Sequence, residues 1–158
     1  MFFKKNELHC IKTLMPLKMI DHNSAEYSKM VELRRQILRK PLGLDFTNEE
    51  LNNEKDNILI ASFEEDDMLG CCMLLQVAPD TVQLRQMAVK PGLQGKGIGR
   101  VLMQFAENIA RDRGYKRMIM HARKSAEGFY EKLGYKIVGD EFKEVTIPHH
   151  EMVKSLVS

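Results

Sequence analysis

Apolar positions recur along this chain at two periods, alternate residues or every third to fourth, and each change of period marks a boundary. Residues 1 to about 15 follow neither period; a strand extension, a loose leader and an over-long start upstream of Met15 or Met19 all fit them. "LKMID" (17–21) has strand character. Asn23 with Glu26 three residues later resembles a capping box and predicts a helix running to Lys40. Tyr27, Met30, Val31, Arg34, Ile37 and Leu38 share one face of it, and Pro41 ends the run. The polar stretch "FTNEELNNEKDN" (46–57) reads as a connection. "NILIASF" and "MLGCCMLLQ" then form strands joined by the acidic turn "EEDD", an antiparallel hairpin, and "VAPD" turns the chain into another strand, "TVQLRQMAV" (81–89).

In the second half, Ile98, Val101, Leu102, Phe105 and Ile109 fall on one face of a helix that Gly114 stops. "YKRMIMHA" follows as a strand, "SAEGFYEKL" as a short helix closed by Gly134, and "YKIVGD" as a strand; "EFKEVTIPH" is a loop leading to a last strand, "HEMVKSLV". The order β-α-β-β-β-α-β-α-β-β predicts an α/β fold of the α+β type, with helices covering a mixed, mostly antiparallel sheet. A chain of 158 residues, 44% of them apolar, has material for one core, so residues 17–158 form a single domain behind a possible extension at 1–16.

Charge and cysteine content narrow the function classes. Lys+Arg number 24 against 22 Asp+Glu, a balance without the broad cationic field of a nucleic-acid binder. Cys10, Cys71 and Cys72 form no CxxC pair, and Cys71 and Cys72, adjacent on a strand, point to opposite faces; a reducing cytoplasm fits. The early residues carry charge where a secretory signal needs an apolar run, and no stretch is long and apolar enough for a membrane span. His9, His22 and His121 have no zinc-ligand spacing, and the expectation is no metal. The eleven methionines are adaptable core filler.

The candidate chemistry centres on "VKPGLQGKGIGR" (89–100), with four glycines and three basic side chains between a strand and a helix. Such a turn presents unpaired backbone N–H groups at the positive end of a helix dipole, which suits a phosphate-like anion. Gly95, Gly97 and Gly99 leave the approach open, and Lys96 and Arg100 can add charged hydrogen bonds. A Walker A loop fails because Lys90 stands where a glycine is needed and Gly97 where Ser or Thr is needed. A dinucleotide fingerprint fails because Arg100 occupies its last glycine.

The pattern that fits is Gln94-x-x-Gly97-x-Gly99 after a strand ending "MAVKP", which resembles the coenzyme A loop of the GNAT superfamily of acyl-CoA-dependent N-acyltransferases. "HARKSAEGFYEKLGYKIVG" is similar to that family's second block through Ala126, Phe129, Tyr130, Gly134 and Tyr135, and "LRRQILRKPLG" with "GDEFKEVTIPHHEM" resembles a bacterial subgroup related to ElaA. The resemblance covers residues 17 to 153. It implies acetyl transfer from acetyl-CoA to a primary amine by direct attack in a ternary complex, with the pyrophosphate on the amides of Gln94, Gly95, Lys96, Gly97, Ile98 and Gly99, and Arg100 adding its side-chain charge. The pantetheine arm would pair with Met87, Ala88 and Val89.

By the same resemblance Tyr130 is the general acid for the leaving thiolate, a role its reference pKa near 10 suits; a core tyrosine packing on Phe129 is the plain alternative. The incoming ammonium needs a base. The fourth strand offers Gln83, Arg85 and Gln86 and no carboxylate, so His149 is the leading candidate, set against a histidine that only packs a turn after Pro148. His150 faces away, and Glu141 and Glu144 are weaker alternatives. Arg123 stands where many members carry Asn; Arg123 and Lys124 reach coenzyme A phosphates or form a solvated turn, and Ser125 caps the next helix and touches the ligand. Arg34 and Arg35 either meet an anionic group on the acceptor or are solvated. The acceptor is a small-molecule amine or a peptide or protein amino group, with no nucleic-acid or membrane partner, and family habit leans to a homodimer. A coenzyme A-binding sensor without turnover is the alternative function.

Overall fold

A computed structural model describes residues 16–157. Its strands are β1 (Leu17–Ile20), β2 (Ile58–Glu64), β3 (Asp67–Ala78), β4 (Thr81–Val89), β5 (Arg117–Arg123), β6 (Lys136–Glu144) and β7 (Ile147–Ser155). They form one sheet in the order β1-β2-β3-β4-β5-β7-β6. Every neighbouring pair is antiparallel except β4 with β5. The parallel pair needs a crossover, which α3 (Ile98–Asp112) supplies. The other helices are α1 (Ala25–Arg34), α2 (Asn48–Asn52) and α4 (Glu127–Lys132).

The sheet buries both faces. On one, Ile60, Cys72, Leu74, Leu84, Met118, Met120 and Met152 pack against Leu102, Met103 and Ala106 of α3, with Tyr130 of α4 in the same cluster. On the other, Leu59, Ala61, Phe63, Cys71 and Met73 pack against Tyr27, Met30 and Val31 of α1. Cys71 and Cys72 do part to opposite faces, as strand alternation requires. Gly70 on β3 lets α3 lie close: a Cβ there would stand 2.9 Å from Leu102 Cδ1 and 3.2 Å from the Ala88 carbonyl.

Four local expectations change. Ser24, not Asn23, caps α1, its hydroxyl accepting from the Tyr27 amide. The α-helix gives way at Arg35 to a wider π turn (Arg35–Arg39) and a 3-10 turn (Lys40–Leu42), and the chain leaves them through Gly43 at φ +71°. The polar connection contains α2, held by a full capping box between Thr47 and Glu50. Finally, "EFKE" extends β6 and "IPH" opens β7, so the predicted loop is a hairpin with Val145 and Thr146 at its tip. Both tip residues have positive φ (+45° and +71°), the hand that matches strand twist but one that β-branched residues adopt at a cost.

Candidate active site

Pairing between β4 and β5 runs from Thr81↔Arg117 to Leu84↔Met120 and stops, while β4 continues to Val89 and β5 to Arg123. The sheet is open at that end. A bulge marks the place: Cys71 pairs Ala88 and Met73 pairs Arg85, so three steps on β4 oppose two on β3, and Gln86 takes φ +56° to absorb the extra residue. The bulge reverses the alternation. Val82 and Leu84 point to the α3 face, but Ala88 points to the α1 face and Met87 and Val89 back toward α3. The β5-facing backbone of residues 86–89 is thereby left along the opening, where an extended ligand arm can add as a strand.

The glycine loop lies at the end of β4. Gln94 braces it, accepting from the Gly92 amide at 3.1 Å and donating to the Val89 carbonyl at 3.0 Å. Gly97 caps α3 with φ +88° and nothing within 4 Å of a would-be Cβ; Gly95, at φ +80°, is equally open. The first amide of α3 with an intrahelical partner is that of Val101, bonded to the Gly97 carbonyl at 3.1 Å. The amides of Gly97, Ile98, Gly99 and Arg100 therefore head the helix dipole without helical acceptors. Lys96 and Arg100 are exposed beside them. Gly99 serves packing as well, a Cβ there coming within 3.2 Å of the Phe129 ring.

Tyr130 is buried on α4 and edge-packed on Phe129 and Tyr135 at 5.0 and 6.0 Å between ring centres. Burial, with Cys72 close by, pushes its phenol well above the ordinary value, so the group keeps its proton through neutral pH. Its hydroxyl bonds to no described group. Cys72 sits on β3 at the level of the β4 bulge, and Tyr130 shares its cluster on the α3 face.

His149 lies on β7 directly across from Arg123, both on the α1 face. It is buried rather than at a turn, stacked on Phe142 at 5.9 Å. Its Nδ1–H donates to the Ile147 carbonyl at 2.9 Å, and its Nε2 stands 3.8 Å from a Glu144 carboxylate oxygen. Glu144 also meets His121 Nδ1 at 3.1 Å, so a carboxylate joins two imidazoles on this face. His150 points the other way, to Glu127 on α4. Glu141 pairs Lys124 at 3.0 Å, and that ammonium holds its carboxyl below the usual range, which makes it a poor base.

Three expected roles shift. Arg123 donates to the Leu38 carbonyl at 2.9 Å, toward the α1 face and away from α3 and its loop. Ser125 is exposed in a 3-10 turn, and α4 begins at Glu127 after Ala126, an N-cap with no side-chain hydrogen bond. Arg34 is neither solvated nor open to an acceptor: fully buried, it forms two 2.7 Å hydrogen bonds to Glu54, which also accepts from Tyr27 at 2.6 Å. Arg35 is held by Glu32 and Asp45. Arg39, which the sequence reading passed over, reaches the same Leu38 carbonyl at 3.2 Å. Among the described residues, no group of three or more His, Cys, Asp or Glu side chains is placed to hold a metal ion.

A mixed sheet opened between two parallel strands, with a cradle of free amides at its mouth, has a geometry suited to an extended, phosphate-bearing ligand. Residues 32–156 match the model of the acetyltransferase (GNAT) domain, and the chain belongs to that family. It is 31% identical over 81 residues to the uncharacterized protein YyaT of Bacillus subtilis, an overlap of 51% of this chain and 55% of that one. The chain spans about half the length of the first curated relatives it matches. Its fold is shared with Escherichia coli ElaA (TM-score 0.77, 17% identity, 89% of this chain and 99% of that one). It is shared too with an aminoglycoside 6'-N-acetyltransferase complexed with coenzyme A (TM-score 0.77, 19% identity, 91% and 98%). No described helix is long and apolar enough to cross a membrane.

Proposed function

We propose that this chain is an acetyl-CoA-dependent N-acetyltransferase acting on a primary amine by direct attack in a ternary complex. The reading is supported by three features: β4 backbone left unpaired past Leu84, the free amides of α3 at the end of that strand, and on the α3 face a protonated Tyr130 hydroxyl that bonds to no described group. Acetyl-CoA would supply the activated acyl group. The amides of residues 97–100 bind the pyrophosphate, and Met87, Ala88 and Val89 align the arm through their backbone.

A backbone N–H of the bulged segment steadies the negative charge that builds on the acyl oxygen as the amine nitrogen bonds to its carbon. The carbon–sulfur bond then breaks, and Tyr130 gives its proton to the departing thiolate. On the opposite face His149 Nε2, its tautomer fixed by the Ile147 carbonyl, takes the proton that the ammonium must lose. The test is thiol release from acetyl-CoA over a panel of polyamines, amino acids, aminoglycosides and peptides. Amine-dependent release supports the reading; coenzyme A binding with no release from any amine would leave a sensor and overturn it.

A further inference from the structure

Nine arginines lie among the described residues, and seven are accounted for in one of two ways. Arg34, Arg35 and Arg111 pair with carboxylates, while Arg85, Arg100, Arg113 and Arg117 are exposed to solvent. Arg39 and Arg123 are neither. Both are half-buried, and no carboxylate among the described residues lies within salt-bridge distance of either. They converge instead on one carbonyl, Leu38 O, at 3.2 and 2.9 Å.

Arg39 is further fixed over the Phe46 ring at 4.4 Å, at the end of the π turn that packs on β4. Arg123 is the last residue of β5, three positions past the final β4–β5 pair, so it borders the opening. The carboxylates nearest in effect are engaged elsewhere: Glu144 with His121, Glu50 with the Thr47 amide of its own capping box. Burial lowers both guanidinium pKa values, and the Arg123 charge lowers that of Arg39 further. Two partly desolvated like charges held together by a shared carbonyl are an unfavourable arrangement that an oxyanion relieves, with the planar fork geometry suited to it.

We propose that Arg39 and Arg123 form the acceptor-recognition site, and that the acceptor is a small amine carrying an oxyanion, a carboxylate or a phosphonate-like group. This rests on the acetyltransferase reading. The site lies on the α1 face, against His149 in the β5–β7 register and on the opposite face of the sheet from Tyr130. Such an acceptor has its anionic end on the arginines and its amine toward the acetyl group. Polycationic acceptors meet the wrong charge.

The experiment compares kcat/KM for matched pairs, an amino acid against its amide and an aminoalkylphosphonate against its diethyl ester, in the full chain and in Arg39→Gln and Arg123→Gln. The acid of at least one pair should exceed its neutral partner by about 10- to 100-fold, and each variant should lose that preference while turning over the neutral partner as before. Which pair shows it separates carboxylate from phosphonate. Equal rates for acid and neutral partner, preference for polyamines, or a loss of coenzyme A affinity in Arg123→Gln would overturn the assignment. Failure of the acetyltransferase reading looks different: no thiol release from any amine. The pair is then still read by calorimetry with an N-acetylated amino acid against its amide, where equal binding overturns it and selective binding lost in both variants supports it.

Discussion

Gly97 allows the anion cradle to be tested by charge alone. It caps α3 at φ +88° with open space where a Cβ would stand, so a side chain there meets backbone strain and no clash. Asn and Asp have the same shape and visit this region more readily than other residues, so both variants should lose about 1 kcal/mol of stability, a fall of roughly 2–4 °C in Tm. At the head of the helix dipole Asp should fold at least as well as Asn, favoured by about 0.5 kcal/mol. Ligand binding should run the other way. A carboxylate about 5 Å from a phosphate charge opposes it by roughly 3 kcal/mol at an effective dielectric of 20 and by under 1 kcal/mol in bulk water. The loop is exposed, so an intermediate value of about 1.5 kcal/mol applies, a factor of about ten in Kd. Calorimetry with coenzyme A on Gly97→Asn and Gly97→Asp, at low and high salt, reads the difference, which should shrink as salt screens it. Equal affinities in the two variants at low salt would refute the placement of the pyrophosphate here.

Arg34→Met removes the partner of a buried carboxylate, Glu54, and should cost about 3–5 kcal/mol in denaturant unfolding, while the Arg34→Met/Glu54→Leu double variant recovers much of it. A loss under about 1 kcal/mol would mean that the pair is not desolvated. Burial pushes the Cys71 thiol up to about 12 from an ordinary 9.0. The unfolded chain therefore ionises first, and this contribution to stability is full below pH 9 and lost as pH rises toward 12. In a Cys10→Ser background, Cys71 and Cys72 should resist a thiol reagent at pH 8 until the protein unfolds; prompt labelling would contradict their burial. Replacing Val145 and Thr146 by Asn and Gly should stabilise the β6–β7 hairpin by about 1 kcal/mol or more, since both positions carry positive φ, and an unchanged or lowered unfolding midpoint would count against that turn.

Element order was legible where burial leaves its mark in the sequence: the face of Ile98, Leu102 and Phe105 follows from packing α3 on the sheet, and "NILIASF" is a continuous apolar run because β2 is buried on both faces. What escaped notice lacks such a mark. Strand β6 is exposed along nearly its whole length, so its charged half, "EFKE", looks like loop. Helix α2 offers one partly buried apolar residue, Leu51, and is announced by the Thr47–Glu50 box alone. The burial of Arg34 depends on a glutamate twenty positions away inside a polar run, and no local rule joins them. In the site, the glycine loop was legible because free amides and positive φ demand glycine at fixed spacing. The bulge at Gln86 was not, since a non-glycine residue carries its positive φ. Nor was the pairing of Arg39 with Arg123, eighty-four positions apart, which exists only because the π turn and the end of β5 meet at Leu38.

The central claim is that Tyr130 delivers the proton that lets the thiolate leave. Its most direct test is the pH dependence of thiol release from acetyl-CoA, with a saturating acceptor, for the native chain and Tyr130→Phe. Because burial raises the phenol pKa, activity in the native chain should persist through neutral and into alkaline pH without an acid limb near 10. Tyr130→Phe should keep coenzyme A affinity and lose about 10²- to 10⁴-fold in kcat. Unchanged kcat in that variant across the same pH range would contradict the account.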